Sequence, residues 1–229
     1  MIGIIGAMGV EVEGLKALME GKVSQKISGV EFTRGKINGN NVVVAACGIG
    51  KVFAGICAEI MILRYGPDYI INTGVGGTLT DKLSIGNIAV ASDVVQHDMD
   101  TTALGDPAGL ISGINVVNIN CDEKLVGLIS KAAEKEGHQY CVGTIASGDS
   151  FIADNERKKR IVETFGAIAC EMEGAAIGQV CYVNGIPFAV IRAISDDADG
   201  NAHENYPQFL KEAAEHSVNV LLRVIKSLE

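Results

Sequence analysis

Runs of apolar residues alternate with helical patterns along the first third of the chain. Residues 2–5 form a short β-type run, and apolar positions spaced among acids and a lysine over 10–20 predict a helix. Two further strand-like runs flank residues 38–41, whose Asn and Gly favour a hairpin turn. A helical pattern over 52–65 leads into a buried strand and glycine-rich turn over 68–79. This part of the chain therefore predicts strand, helix, hairpin, helix and strand.

The same alternation continues to the end of the chain. The pattern predicts strands near 87–95, 116–119 and 140–146 and from residue 187 onward, and helices near 122–136, 155–165 and 203–228. The strand runs are almost continuously apolar, which is typical of a parallel sheet covered on both faces. We therefore predict one α/β domain over residues 1–229, a three-layer α/β/α architecture with a central mixed, largely parallel twisted sheet.

Composition narrows the class of protein. The chain has 229 residues, of which 48% are hydrophobic and 21% charged, and this profile suits a large buried core. A net charge of −9 disfavours nucleic acids and anionic membrane surfaces as partners, since both are bound mainly through Lys and Arg. No apolar run reaches the length of a membrane span and no secretion signal is visible. Six cysteines without a C-x-x-C pair favour a reducing compartment, so we expect a cytoplasmic protein.

Polar residues follow several predicted strands, at the edge where α/β sheets bind ligands. Glu11 follows the first strand, and as a lone feature a first-turn acid favoured by the helix dipole is an alternative to a catalytic role. Glu171 and Glu173 stand in "CEMEGAA". Their spacing puts them about 200° apart on a helix but on one face of a strand. We expect one glutamate to cap a helix and the other to reach a ligand.

The string "RAISDDAD" at 192–199 carries the best candidate for a proton donor. Asp196 emerges from an apolar strand and is followed by two more acids, conditions that favour the protonated carboxyl at neutral pH. Other chemistries lack their motifs, since the chain has no P-loop, no dinucleotide fingerprint and no H-E-x-x-H. The string "QHDMD" at 96–100 has too few nitrogen or sulfur ligands for a metal, and a polar loop is the better interpretation. We predict no metal.

Seven ordered motifs together carry a family resemblance over nearly the whole chain. They are "IGIIGAM" followed by Glu11, "CGIGK", "PDYIINTG", "HDMD", "SGDSFI", "CEMEGAA" and "RAISDDAD". With them the chain resembles the bacterial 5′-methylthioadenosine/S-adenosylhomocysteine nucleosidases of the purine nucleoside phosphorylase and nucleosidase family. The resemblance implies a nucleoside phosphorylase-like fold, a homodimer, and hydrolysis of the N-glycosidic bond of a 5′-thio-substituted adenosine without a cofactor.

The resemblance also implies roles for individual residues. Asp196 matches the general acid that protonates the adenine, and Glu11 matches the residue that activates the attacking water. Glu173 matches the carboxylate that accepts hydrogen bonds from both ribose hydroxyls. Phe151 matches an aromatic that stacks on adenine, with core packing as the alternative, and Ile152 matches the residue whose backbone reads the polar edge of the base.

Further residues complete the predicted substrate-binding set. Those implied to line the sugar and the 5′-thio group are Met8, Ile49, Met172 and Tyr206, and the remaining ones are Val75, Gly76, Glu171, Arg192 and Ser195. In the family, the loop that contains Thr101 and Leu104 completes the pocket of the partner subunit. Val75 and Leu104 depart from the family pattern, which commonly has a serine and an aromatic residue at these positions.

Three alternatives share this fold: a purine nucleoside phosphorylase, a futalosine-type hydrolase, and a non-catalytic nucleoside-binding or storage protein. A phosphorylase has to bind a phosphate dianion beside the ribose and needs cationic groups there. Glu11 stands where a cation would be needed and would repel phosphate, while it suits a water nucleophile. The sequence therefore favours hydrolysis over phosphorolysis.

Overall fold

The computed structural model describes residues 1–228, which contain ten β-strands and six α-helices. The strands are β1 (Ile2–Gly6), β2 (Glu20–Ile27), β3 (Val30–Ile37), β4 (Asn40–Ala46), β5 (Tyr69–Thr78), β6 (Ile88–Gln96), β7 (Ile119–Asn120), β8 (Tyr140–Ser147), β9 (Ala169–Glu171) and β10 (Phe188–Asp196). The helices are α1 (Glu13–Leu18), α2 (Lys51–Tyr65), α3 (Glu123–Lys135), α4 (Asn155–Phe165), α5 (Gly174–Asn184) and α6 (Ala202–Lys226). Short 3₁₀ turns occur at Gly9–Glu11 and Thr102–Leu104.

All ten strands belong to one mixed sheet. Strands β1, β4, β5 and β10 run parallel to one another, so their carboxyl ends meet at the same edge. Strands β5, β10, β6, β8 and β9 pair in a closed ring, because β10 pairs with both β5 and β6 while β9 pairs with both β5 and β8. Strands β1, β4, β3 and β2 extend from this ring as an open arm.

Apolar cores lie on both faces of the sheet. Neighbouring residues of one strand supply opposite cores, since Ile4 and Ile71 pack with α1, α3 and α6 while Ile5 and Ile70 pack with α2 and α5. This alternation follows from the two-residue repeat of strand side chains. The arrangement confirms the predicted three-layer α/β/α class, and the antiparallel pair β3–β4 confirms the predicted hairpin.

Several predicted elements differ from the structure. The predicted strand at 116–119 is wrong, since β7 contains only two residues and Val116 instead makes a single bridge with Ile111. The helix after β1 is also shorter than predicted. Strands β2 and β9 were not predicted: β2 is exposed along its length and lacks an alternating apolar pattern, and β9 has only three residues.

Strand β2 forms the free edge of the open arm. It pairs with β3 on one side, and seven of its eight residues are exposed. Lys22 and Lys26 on this strand are exposed, and Lys22 Nζ donates to the carbonyl of Lys16 at 3.1 Å. Elsewhere in residues 1–228, no helix combines the length and the apolar character needed to cross a bilayer.

Candidate active site

A cavity of about 410 Å³ lies where β1, β5, β9 and β10 end. Its wall contains most of the predicted site residues: Met8, Glu11, Ile49, Val75, Gly76, Phe151, Ile152, Glu171, Met172, Glu173, Ser195, Asp196 and Tyr206. These side chains come from positions up to about 200 residues apart in the chain, and the sheet topology brings them to one edge. We call Glu11, Glu171, Glu173, Ser195 and Asp196 the inner wall, and Ile49, Phe151, His203 and Tyr206 the outer wall.

Glu11 lies in the inner wall with both carboxyl oxygens bound by backbone donors. The N–H groups of Ala7 and Met8 donate to Oε2 at 2.7 and 2.8 Å, and the N–H of Val75 donates to Oε1 at 3.1 Å. Burial raises the pKa of Glu11, an effect opposed by the charge of Arg192 and by these three donors. The carboxylate is therefore held in one orientation.

Asp196 ends β10 on the same wall. The Ser195 hydroxyl donates to Oδ2 at 2.9 Å, and the N–H of Ala198 donates to Oδ1 at 2.9 Å. Burial raises the pKa of Asp196, so the protonated carboxyl persists to higher pH than in a solvated aspartate. A side chain at Gly77 would approach Oδ1 to 2.6 Å, just as one at Gly74 would approach the Glu11 carboxylate to 2.5 Å. Glycine at both positions leaves room for the carboxyl groups.

Glu171 and Glu173 occupy neither a common helix nor a common strand. Glu171 ends β9, and Glu173 is the residue before α5. The N–H groups of Glu173 and Gly174 donate to Glu171 Oε2 at 3.1 and 2.8 Å, so Glu171 satisfies the start of α5. Glu173 Oε1 instead accepts from the N–H of Gly50 at 2.8 Å. Glu171 therefore takes the capping position expected for one of the pair, and Glu173 lines the cavity, where its expected contact with a ligand stays a prediction. Neither the helical nor the strand spacing describes the pair, because the chain changes from strand to helix between the two residues.

A buried ion pair supports the inner wall from behind. Arg192 lies outside the cavity lining, which corrects its prediction as a substrate contact, because its guanidinium is turned into the protein and pairs with Glu171. Its Nη2 also lies 3.9 Å from Glu173 Oε2. The Ser147 hydroxyl donates to Glu171, and the N–H of Ala175 donates to that hydroxyl at 2.7 Å. Burial and then the charge of Glu171 raise the pKa of Glu173 to about 7.

The outer wall is aromatic and open to solvent. The rings of Phe151 and Tyr206 meet edge to face with centroids 5.5 Å apart. Phe151 is 44% exposed and Ile49 54% exposed, whereas Glu11 and Asp196 are 3% and 2% exposed. The Tyr206 hydroxyl donates to Met8 Sδ at 3.3 Å, and burial raises the pKa of Tyr206 to about 12. This wall offers flat apolar surface next to the charged one.

Other residues of the cavity were not predicted: Ala7, Gly77, Ser150, Cys170 and His203. Most of them directly precede or follow predicted residues, so an extension of each motif by one or two positions would have found them. His203 is different, since it begins an amphipathic helix and no chemical motif surrounds it. Thr101 and Leu104 do not line the cavity of their own chain, and Leu104 is 83% exposed.

The two acids of the string "QHDMD" have protein partners. Asp98 pairs with Lys51 at 2.6 Å and accepts from the N–H of Asp149 at 2.9 Å, while Asp100 accepts from Thr102. Across residues 1–228, no group of three or more His, Cys, Asp and Glu side chains is arranged to hold a metal ion.

Comparison with known proteins identifies the family. The family model described as the phosphorylase superfamily matches residues 1–226. The chain belongs to this superfamily. A phosphorylase-superfamily relative, the 5′-methylthioadenosine/S-adenosylhomocysteine nucleosidase of Shewanella halifaxensis, is 43% identical over 229 residues, which cover 99% of each chain. This match confirms the resemblance inferred from the seven motifs.

Solved structures of the superfamily have the same fold. The S-adenosylhomocysteine nucleosidase of Streptococcus pyogenes, in complex with 5-methylthiotubericidin, aligns with a TM-score of 0.96 at 33% identity and covers 100% of this chain and 97% of its own. The futalosine hydrolase of Helicobacter pylori aligns with a TM-score of 0.95 at 35% identity and covers 99% and 97%. Proteins with differently named activities therefore share the fold at similar identity, and substrate has to be argued from the site.

Proposed function

We propose that the chain is an N-glycosyl hydrolase that cleaves 5′-methylthioadenosine and S-adenosylhomocysteine to adenine and the corresponding thioribose. The observation that carries this proposal is the joint presence of Glu11 and Asp196 in one cavity, both buried and both oriented by hydrogen bonds. Cleavage of an N-glycosidic bond develops positive charge on the sugar and negative charge on the departing base. The reaction therefore needs a proton donor near the base and an activated water near the sugar.

Asp196 is our candidate for the proton donor. A carboxyl can donate only while it is protonated, and burial raises the pKa of Asp196 in the direction that this role requires. The Ser195 hydroxyl and the Ala198 N–H bind one oxygen each, which limits rotation of the carboxyl group. Activity is expected to fall as the pH rises through the pKa of Asp196.

Glu11 is our candidate for the group that activates water. Its role requires the ionised form, which three backbone N–H donors and the charge of Arg192 favour against the effect of burial. Activity is then expected to fall as the pH decreases through the pKa of Glu11. Together the two groups predict a bell-shaped dependence of kcat/KM on pH.

The rest of the cavity fits an adenosine with an apolar 5′ group. Glu173 is our candidate for the acceptor of the ribose hydroxyls, because its Oε2 has no closer partner than Arg192 at 3.9 Å. Phe151 supplies a half-exposed aromatic face for the adenine. Met8 and Met172 supply adaptable apolar surface for the thio group.

Hydrolysis rather than phosphorolysis is supported by the charges around the cavity. No Lys or Arg contributes to the described lining, whose carboxyl groups come from Glu11, Glu171, Glu173 and Asp196 and to which His203 adds one imidazole. A phosphate dianion next to Glu11, Glu171 and Glu173 would be repelled unless cations compensated it. Water carries no charge and is therefore not repelled by these carboxylates.

The deciding experiment measures adenine release from methylthioadenosine by purified protein in phosphate-free buffer. We expect turnover that added phosphate does not increase. A strict requirement for phosphate would establish a phosphorylase instead. Binding without any release of base would favour the storage-protein alternative.

Parallel assays with S-adenosylhomocysteine, 5′-deoxyadenosine and a futalosine-type nucleoside rank the substrates. We expect turnover of the first two as well as of methylthioadenosine. Cleavage of the two thioethers, which carry the sulfur of methionine, would support a role in the salvage of methionine, whereas 5′-deoxyadenosine contains no sulfur and tests only the tolerance of the 5′ pocket. The futalosine arm is included because a futalosine hydrolase aligns as closely as the nucleosidases do. Preferential cleavage of that nucleoside would favour the second candidate function.

We also propose that the chain acts as a cytoplasmic homodimer. Helices α2 and α5 pack against each other and expose apolar side chains of the kind that subunit interfaces cover: Val52, Phe53, Ile56, Tyr182 and Val183. Leu104, also exposed, is our candidate for closing the partner subunit's cavity. Light scattering of the purified protein at about twice the monomer mass of 24.0 kDa would support this arrangement.

A further inference from the structure

One buried cation, the guanidinium of Arg192, lies behind the inner wall and interacts with three of its carboxyl groups. Within residues 1–228, Arg192 is the only basic side chain that is buried. It pairs with Glu171, lies 3.9 Å from Glu173 and lowers the pKa of Glu11 against the effect of burial. The position of this guanidinium therefore influences all three acids at once.

Asn72 anchors that guanidinium from the centre of the sheet. It is fully buried in β5, where its neighbours are Ile5 of β1 and Val190 of β10. Its Nδ2 donates to the carbonyl of Ile5 at 2.9 Å, and its Oδ1 accepts from Arg192 Nη2 at 2.5 Å. A carbonyl oxygen only accepts hydrogen bonds and a guanidinium only donates them. The amide nitrogen of Asn72 therefore faces Ile5, and its amide oxygen faces Arg192.

Few other groups hold Arg192 in place. Nη1 donates to the carbonyl of Ile191 at 2.8 Å and more weakly to that of Asn72 at 3.4 Å, and Nε finds no partner among residues 1–228. Apart from the acids, the side chain of Asn72 is the only side chain to which Arg192 donates in the described structure. Loss of this acceptor would leave Nη2 held by carboxylates alone.

We propose that Asn72 is a positioning residue, which through Arg192 keeps Glu171 in place at the start of α5 and Glu173 facing the cavity as an ionised acceptor. The inference rests on the proposed function, because the acceptor role of Glu173 belongs to it. Asn72 itself lies outside the cavity lining and touches no reacting group. Its effect is therefore transmitted by charge and orientation.

The charges around Glu173 determine the direction in which its pKa should shift when residue 72 is changed. The groups that face Glu173 are Glu171 from β9, Arg192 from β10, Glu11 from the turn after β1, the Cys47 thiol after β4 and the Tyr206 hydroxyl from α6. Burial and Glu171 raise the pKa of Glu173, and Arg192 lowers it. A negative charge at position 72 would compete for Arg192 and so raise the pKa of Glu173 further.

The test compares Asn72→Asp with Asn41→Asp, a matched control that adds the same charge at an exposed position of β4. The first measurement follows the ¹³C carboxyl resonance of Glu173 against pH, with Glu173→Gln to assign the signal. The second is the pH dependence of kcat/KM for methylthioadenosine. We expect Asn72→Asp to move the Glu173 midpoint upward by about one pH unit. The acidic limb should move in the same direction, because Glu11 and Glu173 both act in the ionised form and Arg192 lowers the pKa of both. Asn41→Asp should move neither.

An unchanged Glu173 midpoint in folded Asn72→Asp would overturn the inference. The resonance requires no substrate, so a shifted midpoint in a protein that does not cleave thioadenosines would support Asn72 and reject only the proposed function. If Asn72→Asp does not fold, Asn72→Ser is used, whose short side chain cannot reach Arg192. We expect its KM to rise by about tenfold with kcat much less affected. A wild-type KM in Asn72→Ser would also overturn the inference.

Discussion

The two walls of the cavity differ in how firmly they are held. In the inner wall, the carboxyl groups of Glu11, Glu171 and Asp196 each accept at least two hydrogen bonds from the protein. In the outer wall, Phe151 and Tyr206 contact each other edge to face, and one hydrogen bond joins Tyr206 to the sulfur of Met8. Proton transfer tolerates little displacement, whereas an apolar surface can adapt to different ligands. Under the proposed function, the chemistry belongs to the inner wall and substrate preference to the outer wall.

The largest predicted effect is a loss of turnover when Asp196 of the inner wall is changed. Asp196→Asn keeps the shape of the side chain and one of its two acceptor oxygens but removes the transferable proton. We therefore expect kcat to fall by about 10²- to 10⁴-fold while substrate binding persists. Single-turnover adenine release and equilibrium binding measure the two quantities. Asp197→Asn is the matched control, because it makes the same change at the next residue and is expected to retain most activity. Wild-type turnover in Asp196→Asn would reject the assignment.

A smaller effect is expected in the outer wall. Phe151→Ala removes the proposed stacking surface, so we expect KM to rise by about tenfold, corresponding to about 1.4 kcal/mol, with a lesser change in kcat. Tyr140 is a suitable control, since it is an aromatic of similar exposure, 40%, at the far end of β8. Steady-state kinetics of both alanine variants measure the effect. If kcat fell as strongly as in Asp196→Asn, the division of roles between the walls would be wrong.

The smallest predicted effect concerns stability. Ionisation of Glu173 is proposed to help substrate binding, but it is expected to lower the stability of the fold. A pKa raised in the folded state means that Glu173 stabilises the fold at low pH and that this contribution is lost as the pH rises from 4.5 through about 7. Glu173→Gln stays neutral, so at about pH 8 we expect it to melt about 2–4 °C above the wild type, with little difference at about pH 5. Thermal denaturation at both values measures this. An equal difference at the two pH values would contradict the ionisation of Glu173.

The site residues differ in how far the sequence predicted them. The location of Asp196 at a strand end was predictable, because a long apolar run stops there at an acid. The geometry of Glu171 and Glu173 was not, because the chain passes from β9 to α5 between them and neither periodicity applies. The role of Asn72 was hidden inside an apolar strand, where only the three-dimensional register with β1 and β10 brings it next to Arg192.

The fold, like the site, was predicted only in part. Long apolar strands and amphipathic helices revealed the α/β class, since their patterns are local. Closure of β5, β10, β6, β8 and β9 into a ring was not predicted, because it depends on pairings between distant segments, including the three-residue β9. A short strand that is buried by its neighbours carries almost no periodic signal of its own.

The exposed edge strand β2 has a consequence for handling the protein at high concentration. A free edge offers unpaired backbone groups on which a strand of another molecule can add, the usual first step of sheet-mediated aggregation. Lys22 and Lys26 on this edge oppose such addition, because stacking copies would bring their ammonium groups together. Alkaline storage or high salt weakens that repulsion, so moderate pH and low ionic strength are the conditions in which this edge is best protected.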